Sequence, residues 1–209
     1  VTSSDTVGYT PTGIDFGCGT GFIINLVKDL LSEVHGVDVT ESMMNQIDLS
    51  SGNVYLHLSH AESTPFPDGT FDFAFAYSFM DHLSDYADFL SEAFRVLKPG
   101  GVLYSDLNPN REFFLSVQAK EHRAGESSFL AKEVEGALRN GQLYDRNYGI
   151  SAQLIDQAEP VKSGQLGFDV DEVRNVAKRI GFSRVEVEYD WFLGEGVLFN
   201  DWEAGEAAT

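Results

Sequence analysis

The sequence predicts an α/β fold: a seven-stranded, mostly parallel sheet with helices on both faces, a C-terminal antiparallel hairpin and a helical cap inserted after the fifth strand. Three observations carry this expectation. From Ile14 onward, short apolar runs alternate with segments of helical periodicity, the mark of strands joined by crossover helices. Ile14-Asp15-Phe16 reads as a strand that runs straight into Gly17-Cys18-Gly19-Thr20-Gly21, and glycines there let the backbone turn sharply into a helix. The 209 residues, 43% hydrophobic and 22% charged, suit a single domain around one core.

The elements can be taken in order. The first strand ends at Phe16, and Ile23, Leu26, Val27, Leu30 and Leu31 then recur at helical spacing, predicting one buried face. A second strand follows at Glu33 to Val39 and a third at Val54 to Leu58. Phe71 to Tyr77, apolar at nearly every position after Asp72, reads as a fourth strand buried on both faces. Asp85 to Lys98 places Phe89, Ala93, Val96 and Leu97 on one helical stripe. That helix is expected to stop at Pro99-Gly100-Gly101, since proline removes a donor and glycine permits positive φ. Val102 to Leu107 is the fifth strand.

Periodicity weakens between Asn108 and Phe168, where Phe113, Phe114, Phe129, Tyr144 and Tyr148 sit among glycines and charges, and this stretch is read as the helical cap. Asp169 with Glu172 resembles a capping box for a helix that buries Val173, Val176, Ala177 and Ile180 and exits at Gly181. Arg184 to Tyr189 reads as a sixth strand, turned by Gly194 to Gly196 into a seventh at Val197 to Phe199. A single domain over 1–209 results, with a core at 14–107, a cap at 108–168, and the last helix and hairpin at 169–200.

Charge narrows the partners. Fourteen Lys and Arg face thirty-three Asp and Glu, a formal net charge of -19, which repels phosphate backbones and anionic headgroups, so no nucleic-acid partner is expected. Arg111, Lys120, Arg123, Lys132 and Arg139 are interleaved with Glu112, Glu121, Glu126, Glu133 and Glu135, the pattern of a solvated helix face. No apolar run approaches the roughly 20 residues that span a bilayer. Val1 to Gly13 lacks the build of a signal peptide, and a cytoplasmic location is expected. Cys18, the one cysteine, cannot form an internal disulfide. No metal site is expected: His57 and His60 are three apart at a strand exit and would not share a face.

The chemistry concentrates at two places. A glycine-rich strand-to-helix loop by itself is compatible with a purely structural turn, and its spacing differs from the Gly-x-Gly-x-x-Gly dinucleotide pattern. Asp38, however, ends the second strand 21 positions beyond Gly17. An acid about 20 residues on, at that strand end, accepts from both hydroxyls of a ribose. Its bland alternative is a surface acid or helix cap.

Together, Asp15 to Gly21 and Val37-Asp38-Val39-Thr40-Glu41-Ser42-Met43-Met44 resemble the first two motifs of the class I S-adenosylmethionine-dependent methyltransferases, a Rossmann-like family. His60 to Asp72, and Arg95-Val96-Leu97-Lys98-Pro99-Gly100-Gly101, resemble its later motifs in the right order, so the likeness covers about Ile14 to Asp106. It is strongest to the small-molecule branch that includes the ubiquinone/menaquinone C-methyltransferases. The resemblance implies S-adenosyl-L-methionine as cofactor and a small-molecule acceptor bearing a carbon, oxygen or nitrogen nucleophile. Carried over by residue, it implies that Asp15, Gly17, Cys18, Gly19 and Gly21 form the methionine-end loop, that Asp38 holds the ribose, and that Val39 and Met43 flank the adenine. A zwitterionic tail has no pyrophosphate to neutralise, so a loop with a carboxylate for its ammonium is suitable chemistry, whereas a phosphate cradle would avoid Asp15.

The sequence departs from the family at His60, where an acid commonly accepts from the adenine amino group. Neutral His60, Glu62 or the backbone around Ala61 is left to take that contact. Ala76, Tyr77 and Ser78 end the fourth strand at the carboxyl edge, where open α/β sheets bind ligands. His82 matches a histidine common in the family and reads either as a general base or, on the simpler account, as a histidine satisfying local backbone. An apolar acceptor pocket is expected from the cap with Tyr9 and Trp191. Two other classes compete with this reading. A non-catalytic S-adenosylmethionine-binding sensor or partner-binding protein would share every motif, while a nicotinamide oxidoreductase is disfavoured by the glycine spacing.

Overall fold

The computed structural model describes residues 9–126 and 128–189. Among these, the chain divides into two compact units, one built from 9–80, 85–108 and 179–182, the other from 81–84, 109–178 and 183–189.

The first unit is an α/β layer structure. Its five strands are β1 (Thr12–Phe16), β2 (Glu33–Asp38), β3 (Val54–Leu58), β4 (Phe71–Tyr77) and β5 (Leu97–Asp106), all parallel in the order β3-β2-β1-β4-β5. The order reverses between β1 and β4, so their carboxyl ends open a crevice at the switch point. β3 and β4 lie where the alternating pattern puts them. Burial along β4 is less complete than expected: Phe71, Ala74 and Ala76 are buried, whereas Phe73 and Phe75 on the other face are only partly covered.

Helices α1 (Phe22–Val27) and α2 (Glu41–Met44) flank one face, where Cys18, Ile24, Leu31, Val34, Met44, Ile47 and Val54 form a cluster. The expected stripe of α1 needs correction. Ile23, Ile24 and Leu31 are buried, but Leu26 is 60% and Leu30 70% exposed. The helix stops after Val27, and at 100° per residue Leu26 falls off the arc shared by Ile23, Ile24 and Val27. The other face holds α3 (Tyr86–Val96), capped by Asp85, whose side chain accepts from the Ala87 amide at 2.8 Å. Phe89, Ala93 and Val96 of α3 are fully buried, with Phe89 edge-on to Phe16 at 5.2 Å. Each such aromatic side chain contributes roughly 1.5–3 kcal/mol by burial.

Pro99-Gly100-Gly101 is not the linker between helix and strand that its composition suggests. Leu97 already pairs with Phe71, and the next pairing joins Val102 to Phe73, so five positions of β5 pass while β4 advances by two. The extra residues form a bulge with Gly100 at φ 85°.

The second unit is helical: α4 (Arg111–Lys120), α5 (Ser128–Leu138), α6 (Asn140–Tyr148), α7 (Ala152–Ala158) and α8 (Pro160–Gln165), with a 3-10 segment at Glu121–Glu126. Asn110 caps α4 and Ser151 caps α7, and Pro160 opens α8 where a missing N–H costs nothing. Phe114, Val117, Val134, Val161 and Phe168 are buried. Mixed charges behave as their interleaving implies, with Arg139 pairing with Glu121 at 2.6 Å and Arg111 with Asp169 at 3.3 Å.

Helix α9 (Val170–Ile180) begins at Asp169, whose carboxylate accepts from the Asp171 and Glu172 amides at 3.0 Å, and ends at Gly181 with φ 133°. The sheet has five strands among the described residues rather than seven. Arg184 to Tyr189 alternates like a strand, yet no described strand pairs with it, and an unpaired alternating run has no ladder to hold it extended. The partner expected at Val197 to Phe199, and Trp191, lie outside the described residues.

Candidate functional site

The carboxyl ends of β1 and β2 meet at the glycine turn. Phe16 is in register with Val37, and the Cys18 amide continues the ladder to the Val37 carbonyl at 3.0 Å. Gly17, Gly19 and Gly21 all have positive φ, at 66°, 51° and 84°. The turn closes where the Gly21 amide donates to the Cys18 carbonyl at 2.8 Å. At Gly17 the constraint is double, because an added Cβ would lie 2.0 Å from the Phe79 ring. Phe79 is a neighbour that no periodicity in the sequence announces.

Asp38 bridges this turn to its own strand. One carboxylate oxygen accepts from the Gly19 amide at 2.9 Å and the other from the Thr40 amide at 2.8 Å. Each oxygen keeps a further lone pair for an outside donor. Val39 is 60% and Met43 40% exposed beside it, and the Met43 methyl lies 3.3 Å from where a Gly19 Cβ would be. Two apolar side chains thus stand uncovered next to a carboxylate, an arrangement suited to a flat ring joined to a diol.

Asp15 is 2% exposed near the carboxyl end of β1, between Gly36 and Phe75 in register. Among the described residues no hydrogen bond or ion pair engages its carboxyl. Burial, reinforced by the negative charge of Asp38, pushes its pKa up to about 8. A buried carboxyl without a counter-charge is a standing invitation to a cation. Cys18 faces the core, in contact with the space above Gly36, and burial, with Asp15 and Asp38 adding, pushes its thiol up to about 12. It remains a thiol at neutral pH.

The segment after β3 closes the far end of β2. Ser59 donates its amide to the Asp38 carbonyl at 3.1 Å, which sets His60 immediately beyond Asp38, exposed, with Ala61 buried and Glu62 half-buried. At the end of β4, Ala76 is fully buried and Tyr77 packs on Phe22 with ring centres 4.8 Å apart. Ser78 follows with φ 48° and donates its amide to Asp106. The Phe22–Tyr77 pair, like Phe79, is a tertiary contact without a local signal.

His82 belongs to the second unit, where its Nδ1 lies 2.6 Å from the Ala158 carbonyl and donates to it. Among the described residues no three His, Cys, Asp or Glu side chains converge as metal ligands. No helix among them is long and apolar enough to cross a membrane. A shallow cleft lined by Tyr9, Asp72, Phe73 and Lys98 lies at the amino end of β4, away from the glycine turn, and its ion pair of Asp72 with Lys98 at 2.8 Å is structural.

Comparison with known proteins agrees with this geometry. Residues 14–105 match the family described as "Methyltransferase domain". The chain is 34% identical over 101 residues to a probable S-adenosylmethionine-dependent methyltransferase of Mycolicibacterium smegmatis, covering 48% of this chain and 39% of that one. It is 30% identical over 155 residues to the malonyl-[acyl-carrier protein] O-methyltransferase of Salmonella typhimurium, covering 72% and 61%. The chain therefore spans less than two thirds of the length of either relative. A solved SAM-dependent methyltransferase from Aquifex aeolicus aligns with a TM-score of 0.43 at 32% identity, covering 46% of this chain and 55% of that one. Residues 14–105, which hold the glycine turn, Asp38 and the switch-point crevice, are thus similar to the methyltransferase domain of S-adenosylmethionine-dependent enzymes.

Proposed function

We propose that this chain moves a methyl group from S-adenosylmethionine to a carbon, oxygen or nitrogen nucleophile of a small molecule. The observation that carries the reading is the pair of acids at the glycine turn. Asp38 offers spare lone pairs at the strand end, and Asp15 is buried with no counter-charge. A ribose diol satisfies the first, and the ammonium of a methionine tail satisfies the second.

On this reading Gly17, Cys18, Gly19 and Gly21 contribute backbone to the methionine end, Val39 and Met43 flank the adenine, and His60, Ala61 and Glu62 border its edge. Ala76 and Tyr77 wall the cavity around the sulfur. The bound sulfonium supplies an already activated methyl group, so the protein's part is alignment and exclusion of water. Few catalytic side chains are needed. Residues 108–168, with their exposed and half-buried aromatics, are the part of the chain we assign to the acceptor, and the relative that acts on a malonyl-[acyl-carrier protein] makes small carboxylates a first class to screen.

Calorimetric titration with S-adenosylmethionine, S-adenosylhomocysteine and NAD tests the proposal. Micromolar binding of the first two, lost in Asp38→Ala, is the expected result; binding of NAD alone, or of none by the folded chain, would overturn it.

A further inference from the structure

Helix α3 grips the loop between β3 and β4 through a network, buried at Glu92 and Thr64, that no part of the proposed chemistry uses. Glu92, 7% exposed, accepts from both the amide and the hydroxyl of Thr64, at 2.7 and 2.5 Å. Arg95 closes on Glu92 with two nitrogens, at 2.8 and 2.7 Å, the planar bidentate pairing that arginine alone provides. Its remaining donors reach the Phe66 carbonyl at 2.8 Å and Asp68 at 2.7 Å. The backbone completes the grip, with Gly69 and Thr70 donating to the Arg95 and Val96 carbonyls. Against the upward push of burial, the hydrogen bonds from Arg95 and Thr64 hold Glu92 below the usual carboxylate range.

What this network holds matters. Thr64 ends one side of a short arch whose other side is Ser59, bonded to the Asp38 carbonyl at 3.1 Å. Within the arch the Ser59 hydroxyl donates to the Ser63 carbonyl at 3.1 Å and the Ser63 amide to the His60 carbonyl at 3.3 Å. His60, Ala61 and Glu62 therefore sit between two fixed posts, one on the ribose acid and one on Glu92–Arg95. The protein lacks an acid at His60, so the adenine edge has to be met by groups whose position depends on the arch itself.

We infer that Glu92 and Arg95 are positioning residues that set the adenine edge of the cofactor site through Thr64, an inference that rests on the cofactor reading above. Without them the arch loses one post while Asp15, the glycine turn and Asp38 stay in place. Affinity for the adenine amino group should fall selectively, and the ribose and methionine contacts should survive.

The test compares S-adenosylhomocysteine with S-inosylhomocysteine, which lacks the exocyclic amino group. Binding of both is measured by calorimetry on wild type, Arg95→Lys, Thr64→Val and the conservative Thr64→Ser. Thr64→Val removes one hydroxyl from an otherwise intact core and guards against a misfolded arginine variant. In Arg95→Lys and Thr64→Val the Kd for S-adenosylhomocysteine should rise about tenfold, as for one lost charge-assisted contact. The Kd for the inosyl compound should change less than twofold, and Thr64→Ser should restore the wild-type ratio. An unchanged adenosyl Kd, or equal weakening of both ligands, would overturn the inference while leaving the cofactor reading standing. Failure of the wild-type chain to bind S-adenosylhomocysteine would overturn both.

Discussion

Asp38 accepts the Gly19 amide at 2.9 Å, so the acid placed to hold a ribose also fastens the glycine turn beneath it. Its second oxygen holds Thr40 at 2.8 Å, which makes the side chain a structural acceptor twice over. Asp38→Ala should therefore lose stability as well as affinity, by about 1–3 kcal/mol for the orphaned amides. Asp38→Asn keeps one acceptor and should recover part of the stability but little of the affinity, since a diol needs acceptors from both oxygens. Chemical denaturation beside calorimetry checks this, and an asparagine variant with full affinity would contradict it.

Asp15 should couple cofactor binding to proton release. With its pKa pushed up to about 8 by burial and then by Asp38, the free protein holds this proton at neutral pH. A ligand ammonium favours the carboxylate, so binding near pH 7 should release close to one proton. Titrations in buffers of different ionisation enthalpy measure that number, and Asp15→Asn should abolish it while weakening binding. The folded-state value lies above the unfolded one, so the group's contribution to stability is complete below the ordinary carboxyl range and is lost as pH rises toward about 8. The melting temperature of Asp15→Asn should accordingly depend less on pH over that window.

Gly17→Ala combines a left-handed backbone with a collision. Its φ is 66° and the new Cβ would lie 2.0 Å from Phe79. The expected loss is about 2 kcal/mol or more. Gly100→Ala is the control: φ there is 85° with nothing within 4 Å, so backbone strain acts alone and the loss should be smaller. Phe79→Leu should return part of the stability to Gly17→Ala and none to Gly100→Ala, measured by urea unfolding.

Acid should loosen the sheet at β2 and β3. The His35 Nδ1 and His57 Nε2 lie 3.0 Å apart, and the His35 ring is packed against Phe66 and Phe71. Burial lowers the pKa of His35, and burial followed by the charge of His35 lowers that of His57. The unfolded chain then takes up protons first, so this contribution is present above the ordinary histidine range, around pH 6.5, and is lost as pH falls through the lower folded values. In the Asp15→Asn background, where the opposing titration of Asp15 is absent, the melting temperature should drop as pH falls below about 6.5. His57→Phe should flatten that slope, and an unaltered slope would refute the assignment.

His82 should behave as a fastening of the helical unit. Its bond to the Ala158 carbonyl, 2.6 Å long, ends α7, so His82→Ala should raise amide exchange in α7 and α8 and leave S-adenosylhomocysteine affinity within about twofold. Loss of methyl transfer with unaltered exchange would instead make it a general base.

Much of the first unit is legible in the sequence. β3 and β4 begin and end where their apolar runs do, and the glycine turn and Asp38 stand together as their spacing requires. These features are local: the period of a strand, the freedom of glycine and the length of one strand–helix–strand passage are all written in consecutive residues. Other features depend on what arrives from far along the chain. Pro99-Gly100-Gly101 looks like a helix stop and becomes a bulge only because Leu97 finds Phe71 to pair with. Leu30 fits an apolar stripe until α1 ends early and leaves it in solvent. Asp15 is an ordinary acid in sequence and gains its proton only when β2 and β4 close over it. Thr64 meets Glu92 and Arg95, 28 and 31 residues further along, only once α3 packs against the loop between β3 and β4. The sequence by itself determined the first four strands, the glycine turn and the kind of cofactor they suit; tertiary packing decided the extent of the sheet, charge state, register and support, because desolvation and long-range hydrogen bonds exist only once distant segments share one interior.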